Sequence, residues 1–164
     1  MKKGATIVIA LLLCSAVFAQ EKKSAAKSAG AAKPAAAHHS MTKQADLKWS
    51  ALAPGFEMAV VSGDPAKPGP YVLRIRATSE NALVPPHWHP TDENITVLSG
   101  WFKLGEGDNA EEKSAHELQT GDFMLLPAKV HHFGYQNKGG VIQVHGAGPF
   151  VVNWVKPPAA AMKK

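Results

Sequence analysis

Short runs of strand-forming residues, each closed by a turn-forming cluster, fill the sequence after residue 47. Clusters of Gly, Pro, Asn and Asp at 63–65, 67–70, 105–109 and 137–140 interrupt any helical pattern. Between them the sequence predicts strands at 57–61, 71–78, 94–104, 123–126, 131–135, 141–145 and 150–155. Many short strands at even spacing predict an all-β domain, either a sandwich, a jelly roll or a barrel.

The beginning of the chain has a different composition. Lys2 and Lys3 precede an apolar stretch at 7–13 and a small-residue site that ends at Ala19, before Gln20. This is the pattern of a secretory signal peptide, and the apolar stretch is too short to span a bilayer. We therefore expect a periplasmic or secreted protein, cleaved near Ala19 and Gln20, with no stable membrane anchor.

The sequence predicts four parts: a signal peptide at 1–19, a linker at 20–45, a β-barrel domain at 46–158 and a loose tail at 159–164. The linker is rich in Ala and Lys and lacks aromatic residues, which is typical of a disordered tether. Cys14, the single cysteine, lies in the segment to be removed. A lipidation site at Cys14 is the alternative, although Leu13 is bulky for such a site.

The charge distribution argues against nucleic-acid binding. The whole chain carries a formal net charge of +5. Residues 46–158, however, contain nine basic and twelve acidic side chains, a balance of −3. The positive excess therefore lies outside the predicted domain, and we expect no nucleic-acid partner.

Three candidate metal ligands occur within seven residues. His87 and His89 are two apart, so on an extended strand both imidazoles project to the same face and can bind one ion. Prolines at 85, 86 and 90 stiffen the flanks. A short turn then brings in the carboxylate of Glu93. Two imidazoles and a carboxylate indicate a metal site.

These residues carry a resemblance to a known family. His87, His89, Glu93 and Gly100 resemble the first cupin motif, His-x-His, three residues, Glu, six residues, Gly. Every spacing of that motif is intact. The resemblance implies the cupin fold, a double-stranded β-helix or jelly-roll β-barrel of two antiparallel sheets.

The second cupin motif is resembled by Gly121, Pro127 and His132. Five residues separate Gly121 from Pro127, and His132 is the fifth residue after Pro127. The resemblance spans roughly residues 54–156. Two positions depart from the family pattern. Lys129 stands where glycine is usual, which puts the backbone angles of that turn in question, and Gln136 stands where asparagine is common.

The resemblance implies that His87, His89, Glu93 and His132 converge inside the barrel on one divalent metal ion, which is Fe, Mn, Ni, Cu or Zn. His131 is the neighbouring alternative to His132. Strand alternation allows only one of the two to point inward, and the motif spacing favours His132. The competing interpretation is a barrel whose metal site has decayed.

Four further side chains are candidates for the pocket. Alternation along 141–145 places Gln143 and His145 on one face, so both line the pocket if that face is the inner one. The alternative is that both lie on the outer sheet. Trp88 and Phe102 are expected near the barrel mouth or core, where aromatic side chains contribute buried area.

Another pair, Arg74 and Arg76, shares one face of a predicted strand. The two guanidinium groups either clamp an anionic group of a substrate or form ion pairs that face solvent. The second arrangement is the commoner one.

The fold does not decide the function, because cupins host many activities. The first hypothesis is a metal-dependent enzyme on a small organic molecule, of dioxygenase type or a non-redox isomerase or lyase. The others are a non-catalytic periplasmic module that binds a ligand or metal, and a barrel that the metal only stabilises. We also expect a homodimer, formed through the segment 47–61.

Overall fold

The computed structural model describes residues 38–157 of the 164-residue chain. These residues form eleven strands and two short 3₁₀ helices, Gln44–Asp46 and Glu112–Ser114. The strands are β1 (Ser50–Ala53), β2 (Phe56–Ser62), β3 (Gly69–Ala77), β4 (Ala82–Trp88), β5 (Glu93–Ser99), β6 (Trp101–Glu106), β7 (His116–Gln119), β8 (Phe123–Leu126), β9 (His132–Gln136), β10 (Val141–Gly148) and β11 (Asn153–Trp154). The prediction of an all-β domain is confirmed.

The strands form two antiparallel sheets arranged as a jelly roll. One sheet has the order β1-β2-β3-β10-β5-β8, and the other has the order β11-β4-β9-β6-β7. Because β4 belongs to one sheet and β5 to the other, the chain crosses between the sheets at residues 89–92. Side chains at this crossing can therefore meet side chains from both sheets.

Alternation along the central strands separates the inside of the barrel from the outside. Leu73 on β3 is fully buried, whereas Arg74 beside it is only partly buried. On β10, Ile142 and Val144 are buried. Side chains two apart on a strand share a face, so these residues build one continuous apolar core.

The two arginines of β3 lie on the outer face, as the solvent-facing alternative predicts. Arg76 pairs with Glu57 on β2 at 2.6 Å and lies over the ring of Trp49. Arg74 donates a hydrogen bond from Nε to the side-chain oxygen of Gln143 on β10 at 3.3 Å. Neither guanidinium is available to clamp a substrate inside the barrel.

The observed strands differ from the predicted ones at five places. β4 was not among the predicted strands, and the predicted strand at 94–104 is divided into β5 and β6 at Gly100. β1 and β7 were not predicted, because short, largely exposed segments lack a clear apolar alternation. Of the predicted strand at 150–155, only Asn153–Trp154 pairs with β4. The backbone of the neighbouring residues bonds elsewhere: Phe150 N donates to Pro65 O at 2.8 Å and Val155 N donates to Pro86 O at 3.0 Å.

The turn before β9 contains Lys129 in the left-handed region, with φ of 67°. This is the position where the resemblance to the cupin motif lacks its usual glycine. The Lys129 N–H donates to the carbonyl oxygen of His89 at 2.8 Å, so the turn supports the backbone of a predicted metal ligand. Lys129 adopts the left-handed conformation despite its side chain. For a residue with a Cβ, this conformation costs about 1–2 kcal/mol of stability.

Lys129→Gly is therefore expected to stabilise the protein by about 1 kcal/mol, because glycine adopts this φ without the steric cost. Urea denaturation followed by circular dichroism measures the difference. Lys138→Gly is the matched control, since Lys138 is exposed and has no positive φ. A gain in Lys138→Gly as large as that in Lys129→Gly would contradict the argument.

Some predictions lie outside the described residues. These are the signal peptide at 1–19, most of the linker at 20–45 and the tail at 159–164. Within the described part, Leu47 is the first buried residue, one position after the predicted start of the barrel domain. No helix among residues 38–157 is long and apolar enough to cross a membrane.

Candidate metal centre

His87 reaches the inside of the barrel through an irregularity in β4. The register of β4 with β9 shifts between Val84, which is opposite Gly134, and His87, which is opposite His132. β4 therefore has one residue more than β9 in this interval, as in a β-bulge. Pro85 and Pro86 occupy the interval, where their missing N–H groups are compatible with the interrupted ladder.

The bulge is necessary for the site. Val84 lines the interior of the barrel, and in a regular strand a residue three positions later would point outward. The additional residue restores the inward direction at His87, which is 7% exposed. His132, directly opposite on β9, is 4% exposed, and the two imidazole rings lie 4.1 Å apart between centroids.

His89 and Glu93 complete the cluster from the crossing between the sheets. His89 follows β4, and Glu93 is the first residue of β5. The Glu93 carboxylate oxygen Oε2 lies 3.3 Å from His89 Nε2 and 3.7 Å from His132 Nε2. One ligand atom from each of His87, His89 and His132 lies within 4.8 Å of the other two. All four predicted ligands thus meet in one buried cluster.

Backbone carbonyl groups fix the orientation of the three imidazoles. His87 Nδ1 bonds to Pro85 O at 2.7 Å, and His132 Nδ1 bonds to Val130 O at 2.9 Å. His89 Nδ1 bonds to Val151 O at 2.8 Å, which lies beyond β10. A carbonyl oxygen only accepts, so each Nδ1 carries the proton and each Nε2 presents a lone pair. This arrangement is typical of metal-ligating histidines.

Burial changes the protonation of the four side chains. It raises the pKa of Glu93 to about 8, because the carboxylate loses its hydration. Burial also lowers the pKa of His87 and His89 to about 4 and that of His132 to about 3, with a smaller contribution from the neighbouring imidazoles. The histidines are therefore neutral at pH 7, which is the state that binds metals.

The residues fit a divalent cation. Three Nε2 lone pairs and one carboxylate face each other in a space from which water is largely excluded, and no lysine or arginine joins them among the described residues that line this space. Acceptors that are buried together need a donor or a positive partner, and a cation can serve all four groups once Glu93 has released its proton. Imidazole and carboxylate ligands suit the first-row transition metals.

Metal affinity is expected to rise with pH between 6 and 8. Metal binding needs the Glu93 carboxylate, and with a pKa of about 8 this group must release its proton first. The association constant for Co²⁺ should therefore increase about tenfold per pH unit below pH 8 and level off above it. Spectroscopic Co²⁺ titrations between pH 6 and 9 measure this dependence. A constant affinity over this range would contradict the prediction. Glu93→Gln has no carboxyl proton to release, so it should bind Co²⁺ more weakly and without this rise in affinity.

The cluster forms one end of a cavity between the two sheets. The cavity has a volume of about 50 Å³. A water molecule needs about 10–15 Å³ by this measure, so there is room for about four waters or one small organic molecule beside the ligands. Both sheets and the segment after β10 contribute to the wall, with Ile95, Val144, Phe102, Leu104 and Trp154 among the lining residues.

Of the four predicted pocket residues, only Phe102 lines this cavity. Gln143 and His145 lie on the outer sheet, the second of the two alternatives, because Ile142 and Val144 occupy the inner face of β10. His145 instead lines an open depression on the outer surface. Trp88 also lies outside the cavity.

The neighbouring histidine is directed away from the cluster. The side chain of His131 is 41% exposed, and its Nδ1 bonds to Asp108 at 2.5 Å. The ring of His131 stacks on that of Trp88 with an interplanar angle of 9°. The structure thus places His132, and not His131, in the cluster.

The segment after β10 covers two of the histidines, which the sequence did not predict. The ring of Phe150 stacks on His89 with centroids 5.0 Å apart, and the ring of Trp154 lies 5.2 Å from that of His87. In the sequence, only the apolar and aromatic character of residues 150–155 pointed to a buried segment. That pattern does not indicate which side chains the segment contacts.

Comparisons with known proteins agree with this geometry. A family model described as a cupin domain matches residues 79–144, which contain all four clustered ligands. The polyketide cyclase RemF from Streptomyces resistomycificus is 18% identical, with a TM-score of 0.61 over 76% of this chain and 90% of that chain. The comparison with curated proteins gives no match.

Two further solved structures share the fold. An RmlC-like cupin from Shewanella frigidimarina is 14% identical, with a TM-score of 0.54 over 67% of this chain and 91% of that chain. The oxalate decarboxylase of Bacillus subtilis, which has Mn(II) centres, is 17% identical, with a TM-score of 0.53 over 72% of this chain and 34% of that chain. At these identities the likeness shows the fold, which is a cupin-type jelly roll.

Proposed function

We propose that this chain, with a cupin domain at residues 79–144, binds one divalent metal ion and uses it to oxidise a small organic molecule in a dioxygenase-type reaction. The observation that carries the proposal is the convergence of three imidazole lone pairs and the Glu93 carboxyl group at one end of a cavity between the two sheets. His87, His89, Glu93 and His132 are the proposed ligands.

Three neutral imidazoles and one carboxylate leave a charge of +1 on a divalent ion, which then supplies Lewis-acid chemistry and, for Fe, Mn or Cu, electron transfer. The chain's own residues would orient the reactants and exclude water. The carbonyl groups of Pro85, Val130 and Val151 hold the imidazoles in position. The apolar wall keeps the dielectric constant low, which strengthens the attraction between the ion and an anionic ligand.

The composition of the cavity favours oxidation over isomerase or lyase chemistry. Isomerases and lyases usually need a side chain that transfers a proton to or from the substrate. Among the described residues that line the cavity, His87, His89, Glu93 and His132 are the only titratable ones. If all four bind the metal, none is free to act as a general acid or base.

The alternative is a non-catalytic module that binds a small ligand or the metal itself. The small volume of the cavity supports this alternative, because it leaves little room for two reactants beside the ion. The two functions differ in the metal that they require. Oxidation needs a redox-active ion, whereas binding does not.

Elemental analysis of the protein, purified without a histidine tag from its native compartment, tests the proposal. About one equivalent of Fe, Mn or Cu, lost in His89→Ala, supports the oxidative function; the manganese of the structurally similar oxalate decarboxylase makes Mn one of the first metals to assay. One equivalent of zinc or nickel would favour the binding module. Absence of metal in the protein as isolated, together with no uptake of added metal, would refute the oxidative function and leave only a module that binds a ligand without metal.

Export is also part of the proposal. The charged start at Lys2 and Lys3, the apolar stretch at 7–13 and the small-residue site at Ala19 support a signal peptide and a periplasmic or secreted protein. Mass spectrometry of the protein from its native host should find a chain that begins at Gln20. A mature chain that retains Met1 would contradict export by this route.

We further propose a homodimer that uses the segment 47–61. β1 is an edge strand of the six-stranded sheet, and Val60 on the adjacent β2 is 42% exposed. An edge strand can pair with the same strand of a second copy. Light scattering that gives the mass of a monomer would exclude the dimer.

A further inference from the structure

We propose that the cavity selects a compact ligand with a single anionic head group and an apolar body that carries no second polar group. This inference deepens the proposed function and rests on it, because the head group is expected to bind at the metal site. It is based on the chemistry of the cavity wall, which is strongly asymmetric.

Polar atoms are confined to one end of the cavity. The four proposed ligands form that end, and the Trp154 indole belongs to it because its ring lies beside His87. The remaining lining side chains contain no polar atoms. The six-stranded sheet contributes Ile75, Ile95 and Val144, and the five-stranded sheet contributes Val84, Phe102 and Leu104, among others.

The backbone of the strand at the middle of the wall does not replace the missing polar side chains. β10 forms the middle of the wall and is paired with β3 on one side and β5 on the other. Its N–H and C=O groups are therefore used in the ladders. Two other polar side chains are buried inside the barrel, Tyr71 and Gln136, but neither lines this cavity.

A second polar group on the ligand would consequently lose its hydration without gaining a partner. Burial of an unpaired hydroxyl is unfavourable, and burial of an unpaired charge is far more so. The volume of about 50 Å³ limits the ligand to a small molecule. Short branched or unbranched monocarboxylates and compact enolates satisfy both conditions, whereas sugars and dicarboxylates do not.

Butyrate and 3-hydroxypropanoate test this inference directly. They have the same carboxylate and the same number of non-hydrogen atoms, and they differ only in a terminal methyl or hydroxyl group. In the Co²⁺-loaded protein, the visible absorption bands of the ion report binding of either acid. We expect butyrate to bind at least about tenfold more tightly, because a hydrophobic pocket disfavours a buried hydroxyl by a factor of ten to a hundred.

Val144→Thr provides the matched variant, because it adds a hydroxyl to the cavity wall at nearly constant volume. Val144 is 2% exposed and lines the cavity, whereas Val97 is 1% exposed and does not line it. We expect Val144→Thr to reduce the preference for butyrate to below about threefold and Val97→Thr to leave it unchanged.

The possible outcomes separate this inference from the proposed function. Failure to bind Co²⁺ would refute the metal site and hence both proposals. Stoichiometric Co²⁺ binding with equal affinity for the two acids, with tighter binding of 3-hydroxypropanoate, or with binding of neither acid would overturn only the ligand class. If Val144→Thr and Val97→Thr lose the preference for butyrate equally, the assignment of Val144 to the cavity wall would be overturned.

Discussion

Removal of the metal with a chelator at pH 7.5 is expected to lower the melting temperature by roughly 15 °C. A ligand that binds only the folded state at a thousand times its dissociation constant contributes about 4 kcal/mol. For a domain of this size, about 1 kcal/mol corresponds to roughly 4 °C. Without the ion, the three imidazoles and Glu93 remain buried together and lose the partner that would bind all four.

Thermal unfolding with saturating metal and with excess chelator measures this difference. Glu93→Gln is the control, because its neutral amide has nearly the same shape but cannot neutralise the ion. We expect the chelator to shift the melting temperature of Glu93→Gln by only a few degrees. Equal shifts in both proteins would show that the stabilising ion binds elsewhere.

His132→Ala should weaken metal binding by about a hundredfold or more, whereas His131→Ala should leave it nearly unchanged. Loss of a residue that only supports a ligand typically reduces affinity ten- to a hundredfold, so loss of the ligand itself should cost at least as much. His132 is buried opposite His87, while His131 faces outward toward Asp108. Competition with a chromophoric chelator gives both dissociation constants.

Two adjacent histidines, His132 as the first residue of β9 and His131 directly before it, thus provide a controlled pair. Circular dichroism should show the same β content in both variants, because neither side chain belongs to the apolar core. A large loss of affinity in His131→Ala, with His132→Ala retaining its metal, would reverse the assignment. Equal losses of metal affinity in both variants would indicate that the substitutions disturb β9. That result would contradict the prediction that only the inward-facing histidine affects metal binding.

The sequence predicted much of the fold because its turn clusters are strong local signals. β8 was predicted with its observed bounds, and the strands at the centre of the six-stranded sheet were placed to within a few residues. His87, His89 and Glu93 were identified from their close spacing, and turn clusters and short motifs of this kind are specified by residues that are close together in the sequence. His132 was identified only through the resemblance to the second cupin motif.

The parts that were missed depend on residues far apart in the sequence. Alternation assigned Gln143 and His145 to one face of β10 but could not decide whether that face was inside. The inner face is determined by packing of Ile142 and Val144 against the opposite sheet. The bulge that turns His87 inward is likewise visible only when β4 is compared with its partner β9.

The hydrogen bond from His89 to Val151 has a consequence for the timing of metal acquisition. The two residues are 62 positions apart, and Phe150, the other cover of His89, lies in the same late segment. A nascent chain that has reached only Glu93 already contains three ligands but lacks both His132 and the carbonyl that orients His89. The proposed site can therefore be complete only after residue 151 has been synthesised, so a shorter nascent chain lacks part of the arrangement that would hold an ion.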